Sequence, residues 1–431
     1  MSAGRTLAEW LEYQSRLHPR EIELGLERIR TVWKALGAPR PAPRVISVAG
    51  TNGKGSTVAF LEAMLEAAGY RTGCYTSPHL LRYNERIRIA GTPVGDELLC
   101  DAFERIETAR SEVPLTYFEF GTLAAFLCLA GAGLDVAILE VGLGGRLDAV
   151  NLLDADVAVI TGIALDHTEW LGENLERIGR EKAGIARAGR PLVYAAPRMP
   201  DSIAEAAQEK GASLRRLGRD YAYRRTAGGW EWRMGARLRS GLPLPAMRGE
   251  AQLRNAAGAL AALALLPDVS VSQAAVRSGL LAARVPGRFE VRQRGCPWVL
   301  DVAHNPEAAA VLAAQLAERP LQGRRHAVVG MLADKAIGEV LAILAPRVDR
   351  WHLLDLSATP RGASAEMLRE ALPPAARGAA DCWADLGQGL AALVPTLGPE
   401  DEVLVFGSFV TVGQAMQWMG DGDTAASARS G

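Results

Sequence analysis

The most informative segment of the sequence is Val45-Ile46-Ser47-Val48-Ala49-Gly50-Thr51-Asn52-Gly53-Lys54-Gly55-Ser56. Its first five residues form an apolar run typical of a buried strand, a glycine-rich turn follows, and a helical pattern begins at Ser56. Glycines let backbone N–H groups converge on phosphate oxygens, and the start of a helix adds partial positive charge. Lys54 supplies a full charge, and Ser56 or Thr57 can approach a magnesium ion. The strand–turn–helix order therefore predicts a loop that binds nucleotide phosphates.

The loop departs from the usual spacing, because a glycine separates its lysine from its serine. An alternative interpretation is a tight glycine turn into a helix with an incidental lysine. The loop by itself predicts nucleotide binding but does not specify a reaction.

Composition limits the class of protein. A chain of 431 residues is too long for one ordinary core, so we expect two domains. The net charge of −1 gives no indication of a nucleic-acid or polybasic membrane surface. The five cysteines are scattered without a CxxC pair, which favours a reducing compartment, and the N-terminus lacks the apolar region of a signal peptide. Gly121–Leu134 is apolar but shorter than the roughly 20 residues that span a bilayer, and it predicts a buried core helix.

Short β-rich runs alternate with longer amphipathic helices, which predicts α/β architecture with mostly parallel sheets. Helices are predicted at Ser56–Ala68, Glu97–Ser111 and Asn255–Leu266. Tyr221–Arg239 alternates aromatic and basic residues around Gly228-Gly229 and predicts a smaller antiparallel section, either a hairpin or a small meander. The predicted strands of the first half are Arg44–Ala49, Arg71–Tyr75, Val136–Glu140, Val157–Thr161 and Pro191–Tyr194.

The alternation starts afresh after the Pro-Gly break in Arg284–Phe289, which predicts a domain boundary there. We therefore predict an N-terminal domain over residues 1–285, a C-terminal domain over 286–420 and a disordered tail over 421–431. The predicted strands of the second half are Trp298–Val302, His326–Gly330, Trp351–Asp355 and Glu402–Phe406.

Three polar side chains follow the predicted ends of strands in the first half. Ser77 follows Arg71–Tyr75, Glu140 closes the run from Val136, and His167 comes shortly after the next strand. Ligands of doubly wound sheets bind outside the carboxyl ends of the strands, and magnesium prefers oxygen ligands together with phosphate oxygens. Taken singly, the histidine could be structural, the glutamate merely solvated and the serine part of a turn. Their joint placement behind a phosphate loop predicts a magnesium site.

Five motifs occur in order along nearly the whole chain: Val48–Ser56, Thr76–Leu80, Asn84–Ile87, Glu140–Asp148 and Asp301–Pro306. Together they resemble the folylpolyglutamate synthase family of Mur-ligase-like enzymes, most closely its bacterial bifunctional dihydrofolate synthase/folylpolyglutamate synthase members. The resemblance implies an N-terminal phosphate-loop ATPase domain, a C-terminal Rossmann-like glutamate ligase domain and an active site between them.

The resemblance also assigns roles by position. Ser77, Glu140 and His167 match the magnesium ligands of the family, and Lys182 matches a lysine that is carbamylated and helps hold a second magnesium ion. The catalytic residues that it implies are Lys54, Lys182 and His167. The ATP contacts that it implies beyond residues 51–56 are Asn255, Arg288 and Asp301, with His304 as a neighbour of the site.

A pterin site is also implied by the resemblance. The segments Glu21–Arg28 and Leu115–Glu119, together with Leu147–Ala149, resemble dihydropteroate-binding segments of the bifunctional enzymes. The aromatic residues Tyr117 and Phe118 could bind the pterin or be core residues of the helix that follows. The residues expected to contact the pterin are Ile22, Glu23, Leu24, Thr116, Leu147, Asp148 and Ala149.

The function implied is ATP-dependent addition of L-glutamate to dihydropteroate and to reduced folates through an acyl phosphate, with ATP and two magnesium ions as cofactors. We expect a cytoplasmic monomer with small-molecule substrates and neither nucleic-acid nor membrane partners. Three alternatives stay open: an enzyme with only one of the two activities, a Mur-type cell-wall ligase and a non-catalytic nucleotide switch. The cell-wall ligase would be expected to carry a further domain before the loop, and fewer than fifty residues precede Gly50.

Overall fold

The computed structural model describes residues 4–20 and 22–420. These residues form two compact units. The first comprises the described residues through His79 together with Tyr83–Ala246 and Glu250–Arg284. The second comprises Leu80–Arg82, Met247–Gly249 and the described residues from Val285 onward. Glu21 and the predicted tail at 421–431 lie outside the described residues, and the domain limits given above stay predictions.

The first unit is built on an eight-stranded sheet in the order β4-β3-β2-β5-β1-β6-β7-β8. The six strands from β2 to β8 in that order run parallel, while β3 and β4 are antiparallel. The strands are β1 (Arg44–Ala49), β2 (Thr72–Tyr75), β3 (Ile87–Ile89), β4 (Thr92–Pro93), β5 (Val136–Glu140), β6 (Val157–Ile160), β7 (Pro191–Tyr194) and β8 (Ser213–Arg216).

Helices cover both faces of this sheet, which explains why its central strands are continuous apolar runs. One face packs on a core formed with the helices at Leu7–Leu17, Glu27–Ala35, Asp96–Arg110 and Tyr117–Ala130. The helices at Lys54–Ala67 and Glu250–Leu265 contact the sheet and each other. The helices are α1 (Leu7–Leu17), α2 (Glu27–Ala35), α3 (Lys54–Ala67), α4 (Asp96–Arg110), α5 (Tyr117–Ala130), α6 (Thr168–Leu171), α7 (Leu175–Lys182), α8 (Asp201–Glu209), α9 (Glu250–Leu265) and α10 (Gln273–Ala282). Short 3-10 turns occur at Tyr83–Arg86, Ala149–Leu152 and Ala183–Ile185.

A separate three-stranded antiparallel sheet also belongs to the first unit. Its strands are β9 (Tyr221–Thr226), β10 (Gly229–Met234) and β11 (Arg237–Leu242). Trp230 and Trp232 alternate along β10 and are almost fully buried, so this small sheet is held by one apolar face. The predicted antiparallel section at Tyr221–Arg239 is therefore confirmed, and of the two predicted forms it is the meander, which extends to Leu242.

The second unit is a six-stranded sheet in the order β12-β13-β17-β14-β15-β16, with only β12 antiparallel among the described strands. Apolar cores lie on both of its faces. Its strands are β12 (Glu290–Arg294), β13 (Cys296–Asp301), β14 (Arg325–Val329), β15 (Arg350–Leu354), β16 (Ala380–Trp383) and β17 (Glu402–Phe406). Its helices are α11 (Pro306–Ala317), α12 (Ile337–Leu344), α13 (Ala365–Ala371), α14 (Pro374–Arg377), α15 (Leu386–Leu393) and α16 (Phe409–Trp418), with 3-10 turns at Ala345–Arg347 and Val394–Thr396.

The predicted α/β class, mostly parallel with a smaller antiparallel section, is confirmed. The run Gly121–Leu134 lies mainly in α5, whose interior is buried around its whole circumference, as a core helix should be. Over the described part of the chain, none of the helices has the length and apolarity needed to cross a membrane.

Candidate active site

The phosphate loop links β1 to α3 at the carboxyl edge of the first sheet. Gly53 precedes α3 with φ +89°, a left-handed conformation that glycine adopts without strain. Gly50 is equally constrained, because an added Cβ would lie 1.9 Å from the Thr161 Oγ1 atom. Thr51 N donates to Gly162 O over 2.9 Å, and Thr161 Oγ1 donates to Asn52 O over 2.6 Å. The loop is thus fixed against the segment that follows β6, at the N-terminus of a 14-residue helix.

Two lysine amines converge on this loop. Lys54 Nζ donates to Gly50 O and to Thr51 O, both over 3.2 Å, and Lys182 Nζ donates to Gly50 O over 3.0 Å. Lys182 is only 5% exposed. Burial, together with the nearby charge of Lys54, lowers the pKa of Lys182 from 10.5 to about 7. A large fraction of this amine is therefore neutral, and nucleophilic, near neutral pH.

Two of the three predicted metal ligands meet beside the loop. Ser77 N donates to Glu140 Oε2 over 3.4 Å, which brings the ends of β2 and β5 together. The same carboxylate oxygen would lie 3.6 Å from a Cβ added to Gly55, so it faces the first turn of α3. A serine hydroxyl and a carboxylate beside a phosphate-binding helix fit the oxygen ligands that magnesium prefers.

The third predicted ligand, His167, is half-buried and lies just before α6 with φ +52°. Its Nε2 atom is 3.9 Å from Asp166 Oδ2, and its backbone N–H donates to Asp166 Oδ1 over 2.9 Å. The segment that carries it is attached to the loop, since Ala164 N donates to Thr51 Oγ1 over 3.0 Å. Within residues 4–20 and 22–420, no three His, Cys, Asp or Glu side chains form a metal cluster.

Asn255, a predicted ATP contact, lies directly against the loop. It is buried in α9, and a Cβ added to Gly53 would lie 2.5 Å from its Oδ1 atom. Its Nδ2 group donates to Gln252 Oε1 over 3.1 Å, which orients the amide. The structure therefore brings Asn255 to the turn that starts α3, although the two are 202 residues apart in sequence.

The predicted ATP contacts of the second unit lie around the end of β13. Asp301 is buried, and its two carboxylate oxygens accept from Phe289 N and Ala303 N, both over 2.8 Å. Burial raises the pKa of Asp301, although the charge of Arg288 opposes the shift. Arg288 has its guanidinium 5.6 Å from the centre of the Phe409 ring. His304 Nδ1 lies 2.9 Å from Val302 O and so carries its proton there.

The segments predicted to bind a pterin are joined by hydrogen bonds in the first unit. Gly25 N, next to Leu24, donates to Leu147 O over 3.2 Å. Arg28 pairs with Glu23, and its NH2 group lies 3.2 Å from Glu119 Oε1. These contacts connect the three segments that contain the residues expected to bind the pterin, which are Ile22, Glu23, Leu24, Thr116, Leu147, Asp148 and Ala149.

Thr116 and Asp148 both have structural partners as well. Thr116 caps α5 reciprocally with Glu119: Glu119 N donates to Thr116 Oγ1 over 3.2 Å, and Thr116 N donates to Glu119 Oε2 over 2.8 Å. Asp148 is buried and accepts from Leu143 N and Val150 N over 2.8 and 3.0 Å, while burial raises its pKa to about 6.

The two aromatic residues after Thr116 are both half-buried. Tyr117 packs edge-on against Tyr83 with ring centres 6.0 Å apart, and Phe118 lies 6.1 Å from Tyr75. Both rings thus pack on the core while keeping part of their surface exposed. A binding role and a packing role are compatible at these positions.

Known proteins resemble the chain over nearly its whole length. A model of the Mur ligase middle domain matches residues 48–227, and a model of the Mur ligase glutamate ligase domain matches residues 287–409. The dihydrofolate synthase/folylpolyglutamate synthase of Escherichia coli (strain K12) is 47% identical over 415 residues, which are 96% of this chain and 96% of that protein. This chain belongs to the dihydrofolate synthase/folylpolyglutamate synthase family.

Solved structures of the family agree with the fold. An E. coli structure in complex with DHPP and ADP has a TM-score of 0.91 at 47% identity, covering 96% of this chain and 98% of that one. A bifunctional folylpolyglutamate synthase/dihydrofolate synthase with Mn, AMPPNP and L-glutamate bound has a TM-score of 0.89 at 48% identity, with the same coverage. The predicted family is therefore confirmed, and the roles of individual residues stay predictions.

One loop contact is not predicted from the sequence. The sequence predicts Thr161 only as the last residue of a strand, yet its hydroxyl donates to Asn52 O and occupies the space that a Gly50 side chain would need. A hydroxyl at the end of the strand that neighbours β1 is the signal that indicates such a role, because parallel strands end at one edge of the sheet.

Proposed function

We propose that this chain is an ATP-dependent ligase that joins L-glutamate to the carboxylate of dihydropteroate and, in further cycles, to reduced folates. The observation that carries the proposal is the convergence of Lys54, Lys182 and the Ser77–Glu140 pair on one phosphate loop. Family membership supplies the reaction class. Relatives with ADP and DHPP, or with Mn, AMPPNP and L-glutamate, support the choice of ligands.

The proposed reaction has two steps. A carboxylate oxygen of the acid attacks the γ-phosphorus of ATP, which forms an acyl phosphate and releases ADP. The amine nitrogen of glutamate then attacks the acyl carbon, the C–O bond to phosphate breaks, and the nitrogen loses a proton as the amide forms. Phosphoryl transfer of this kind depends mainly on positioning and on neutralising charge.

The loop residues 51–56 perform the positioning. The start of α3 directs backbone N–H groups at the phosphates, and Lys54 leaves its two carbonyl acceptors to pair with the β- and γ-phosphates. Ser77, Glu140 and His167 would hold magnesium, which neutralises phosphate charge when it is bound. We assign Asn255, Arg288 and Asp301 to ATP; the place of Asn255 against Gly53 supports its assignment.

Lys182 is proposed to carry a carbamate. A buried lysine with a pKa of about 7 has the neutral amine that attack on CO2 requires. The nitrogen bonds to the carbon of CO2, one C=O bond opens to a carboxylate oxygen, and the nitrogen releases a proton. The product is an anionic oxygen donor, suited to a second divalent cation, in place of a buried cation. Its position beside Gly50 O would put this donor at the phosphate loop.

The acid substrate is assigned to the three connected segments that contain Ile22–Leu24, Thr116 and Leu147–Ala149. Their mutual hydrogen bonds and the partly exposed Tyr117 and Phe118 rings support a site for a flat aromatic ring. An enzyme with only one of the two activities is the second candidate. We further propose a cytoplasmic monomer, and the free thiols of all five cysteines support a reducing compartment.

The test supplies ATP, magnesium and L-glutamate with either dihydropteroate or tetrahydrofolate, and measures ADP together with the mass of the product. We expect ADP release to require both the acid and the amine, with one amide formed for each ADP. Lys54→Met is the matched negative control. Turnover with a single acid would establish a monofunctional enzyme, and no turnover with either acid would overturn the proposal.

A further inference from the structure

Arg88, on β3, forms a two-pronged ion pair with a residue of the phosphate-binding helix. Its Nε donates to Glu62 Oε1 over 3.1 Å, and its NH2 group donates to Glu62 Oε2 over 2.7 Å. The Arg88 and Glu62 side chains are only 21% and 11% exposed. A bidentate arginine–carboxylate pair fixes the direction of both groups as well as their distance.

The third nitrogen of the same guanidinium reaches the segment that carries Ser77. Arg88 NH1 donates to Thr76 Oγ1 over 3.1 Å and to Glu85 O over 3.3 Å. Thr76 immediately precedes Ser77, and its backbone N–H donates to Arg86 O over 2.8 Å. Arg88 therefore holds both the beginning and the end of the 76–85 segment.

These contacts form a continuous path between two parts of the active site. Glu62 lies eight residues after Lys54 on α3, about 12 Å along the helix axis. The path runs from Glu62 through Arg88 to Thr76, and the neighbouring Ser77 N–H donates to Glu140 Oε2 over 3.4 Å. Neither Arg88 nor Glu62 needs to contact the nucleotide to affect where the Ser77 hydroxyl lies.

We propose that Arg88 is a positioning residue, which holds Ser77 and Glu140 in the geometry that binds a divalent cation by linking the Thr76 hydroxyl to Glu62. This inference rests on the proposed function, because it assumes that Ser77 and Glu140 bind the metal. A purely structural ion pair would stabilise the unit without affecting metal affinity. Metal affinity and folding stability therefore separate the two roles.

Thr76→Val is the most informative variant, because it removes the acceptor hydroxyl and leaves the Arg88–Glu62 pair in place. Arg88→Lys is the second variant, since an ammonium keeps the charge but lacks the three-way fork. Thr76→Ser keeps the hydroxyl and is the conservative rescue. The readout is calorimetric binding of Mn²⁺ to the AMPPNP-saturated protein, with AMPPNP binding in the absence of metal measured separately.

We expect Thr76→Val and Arg88→Lys to weaken Mn²⁺ binding by about 10–100-fold, the usual effect of losing a partner that orients a metal ligand. Thr76→Ser should remain within about threefold of the parent protein, and AMPPNP binding without metal should be unchanged in all three. Mn²⁺ affinity that stays at the parent value in both Thr76→Val and Arg88→Lys would overturn the inference, whatever happens to the melting temperature.

The second unit offers a matched control. Arg325 and Glu402 form another buried pair, with Nε 2.8 Å from Oε1 and side chains 6% and 3% exposed. Arg325→Lys should lower the melting temperature and leave Mn²⁺ affinity unchanged. If Arg325→Lys weakens Mn²⁺ binding as much as Arg88→Lys does, destabilisation alone explains the Arg88 result and the inference is overturned.

Failure of the inference and failure of the proposed function are distinguishable. If the parent protein ligates glutamate and the Arg88 and Thr76 variants bind Mn²⁺ normally, only the positioning role is refuted. If the parent protein ligates neither acid, the proposed function is refuted, while the Mn²⁺ titrations still decide what Arg88 does.

Discussion

The state of Lys182 is the feature of the site that is most open to direct measurement. Its pKa of about 7 lies about 3.5 units below the ordinary lysine value of 10.5. At pH 7 an ordinary lysine is neutral in about one molecule in 3,000, whereas Lys182 is neutral in about half. If CO2 reacts only with the neutral amine, the reactive fraction is raised by about three powers of ten.

The experiment follows the ¹³C NMR spectrum of the protein in ¹³C-labelled bicarbonate as the pH is varied. Because the folded-state pKa of Lys182 is lowered, the amine becomes neutral above about pH 7 and stays protonated below it. We expect a carbamate resonance that grows through pH 7 and is absent from Lys182→Arg. Lys54→Met should move the midpoint to higher pH, since it removes a charge that lowers the pKa of Lys182.

Two results would show that Lys182 does not behave as expected. A resonance that persists in Lys182→Arg would belong to another amine. A midpoint near pH 10 would mean that burial and Lys54 do not lower the pKa of Lys182 in the folded protein.

Three further predictions follow from the contacts described above. Lys54→Met should lower kcat, measured as steady-state ADP release, by about 10²–10³-fold, the usual effect of removing one electrostatic contact to a transition state. An unchanged rate of ADP release would contradict the proposed contact of Lys54 with the phosphates. Gly53→Ala should weaken AMPPNP binding about tenfold by calorimetry, because φ +89° costs a side chain about 1–2 kcal/mol and the new Cβ would lie 2.5 Å from Asn255 Oδ1. His352 is buried against His326, and burial lowers its pKa from 6.5 to about 4. As the pH falls, His352 is therefore protonated in the unfolded chain at a higher pH than in the folded protein. Between pH 6.5 and 4 the free energy of unfolding of the parent protein should therefore fall by up to about 3 kcal/mol relative to that of His352→Phe, as measured by urea titration. A difference between the two proteins that does not change with pH would contradict the lowered pKa of His352.

Much of the fold is predictable from the sequence because central parallel strands are continuous apolar runs. Arg44–Ala49, Val136–Glu140, Pro191–Tyr194 and Glu402–Phe406 have the predicted bounds. The two edge strands of the first sheet are not predicted from the sequence. Strand β8, with the sequence Ser-Leu-Arg-Arg, is only partly buried, and β4 has only two residues. Strands that lack a second neighbour do not need the apolar composition that identifies central ones.

The sequence likewise predicts one part of the candidate site and not the other. The loop spacing predicts a phosphate site, and the ends of parallel strands predict that Ser77 and Glu140 lie together, as their 3.4 Å contact confirms. Nothing in the neighbouring sequence indicates that Lys182 is buried, so its predicted role rests on the family resemblance alone. The Arg88–Glu62 pair joins residues 26 positions apart through side-chain geometry, which no periodicity in the sequence encodes.

If ATP activates the carboxylate as an acyl phosphate, one oxygen atom of that carboxylate must leave with the phosphate, and isotope labelling follows this atom. Dihydropteroate labelled with ¹⁸O in both carboxylate oxygens is incubated with the protein, ATP, magnesium and L-glutamate, and the released phosphate is analysed by mass spectrometry. One ¹⁸O atom should appear in phosphate for each amide formed, because the oxygen that attacked the γ-phosphorus leaves with it. Amide formation accompanied by unlabelled phosphate would mean that the reaction does not pass through an acyl phosphate.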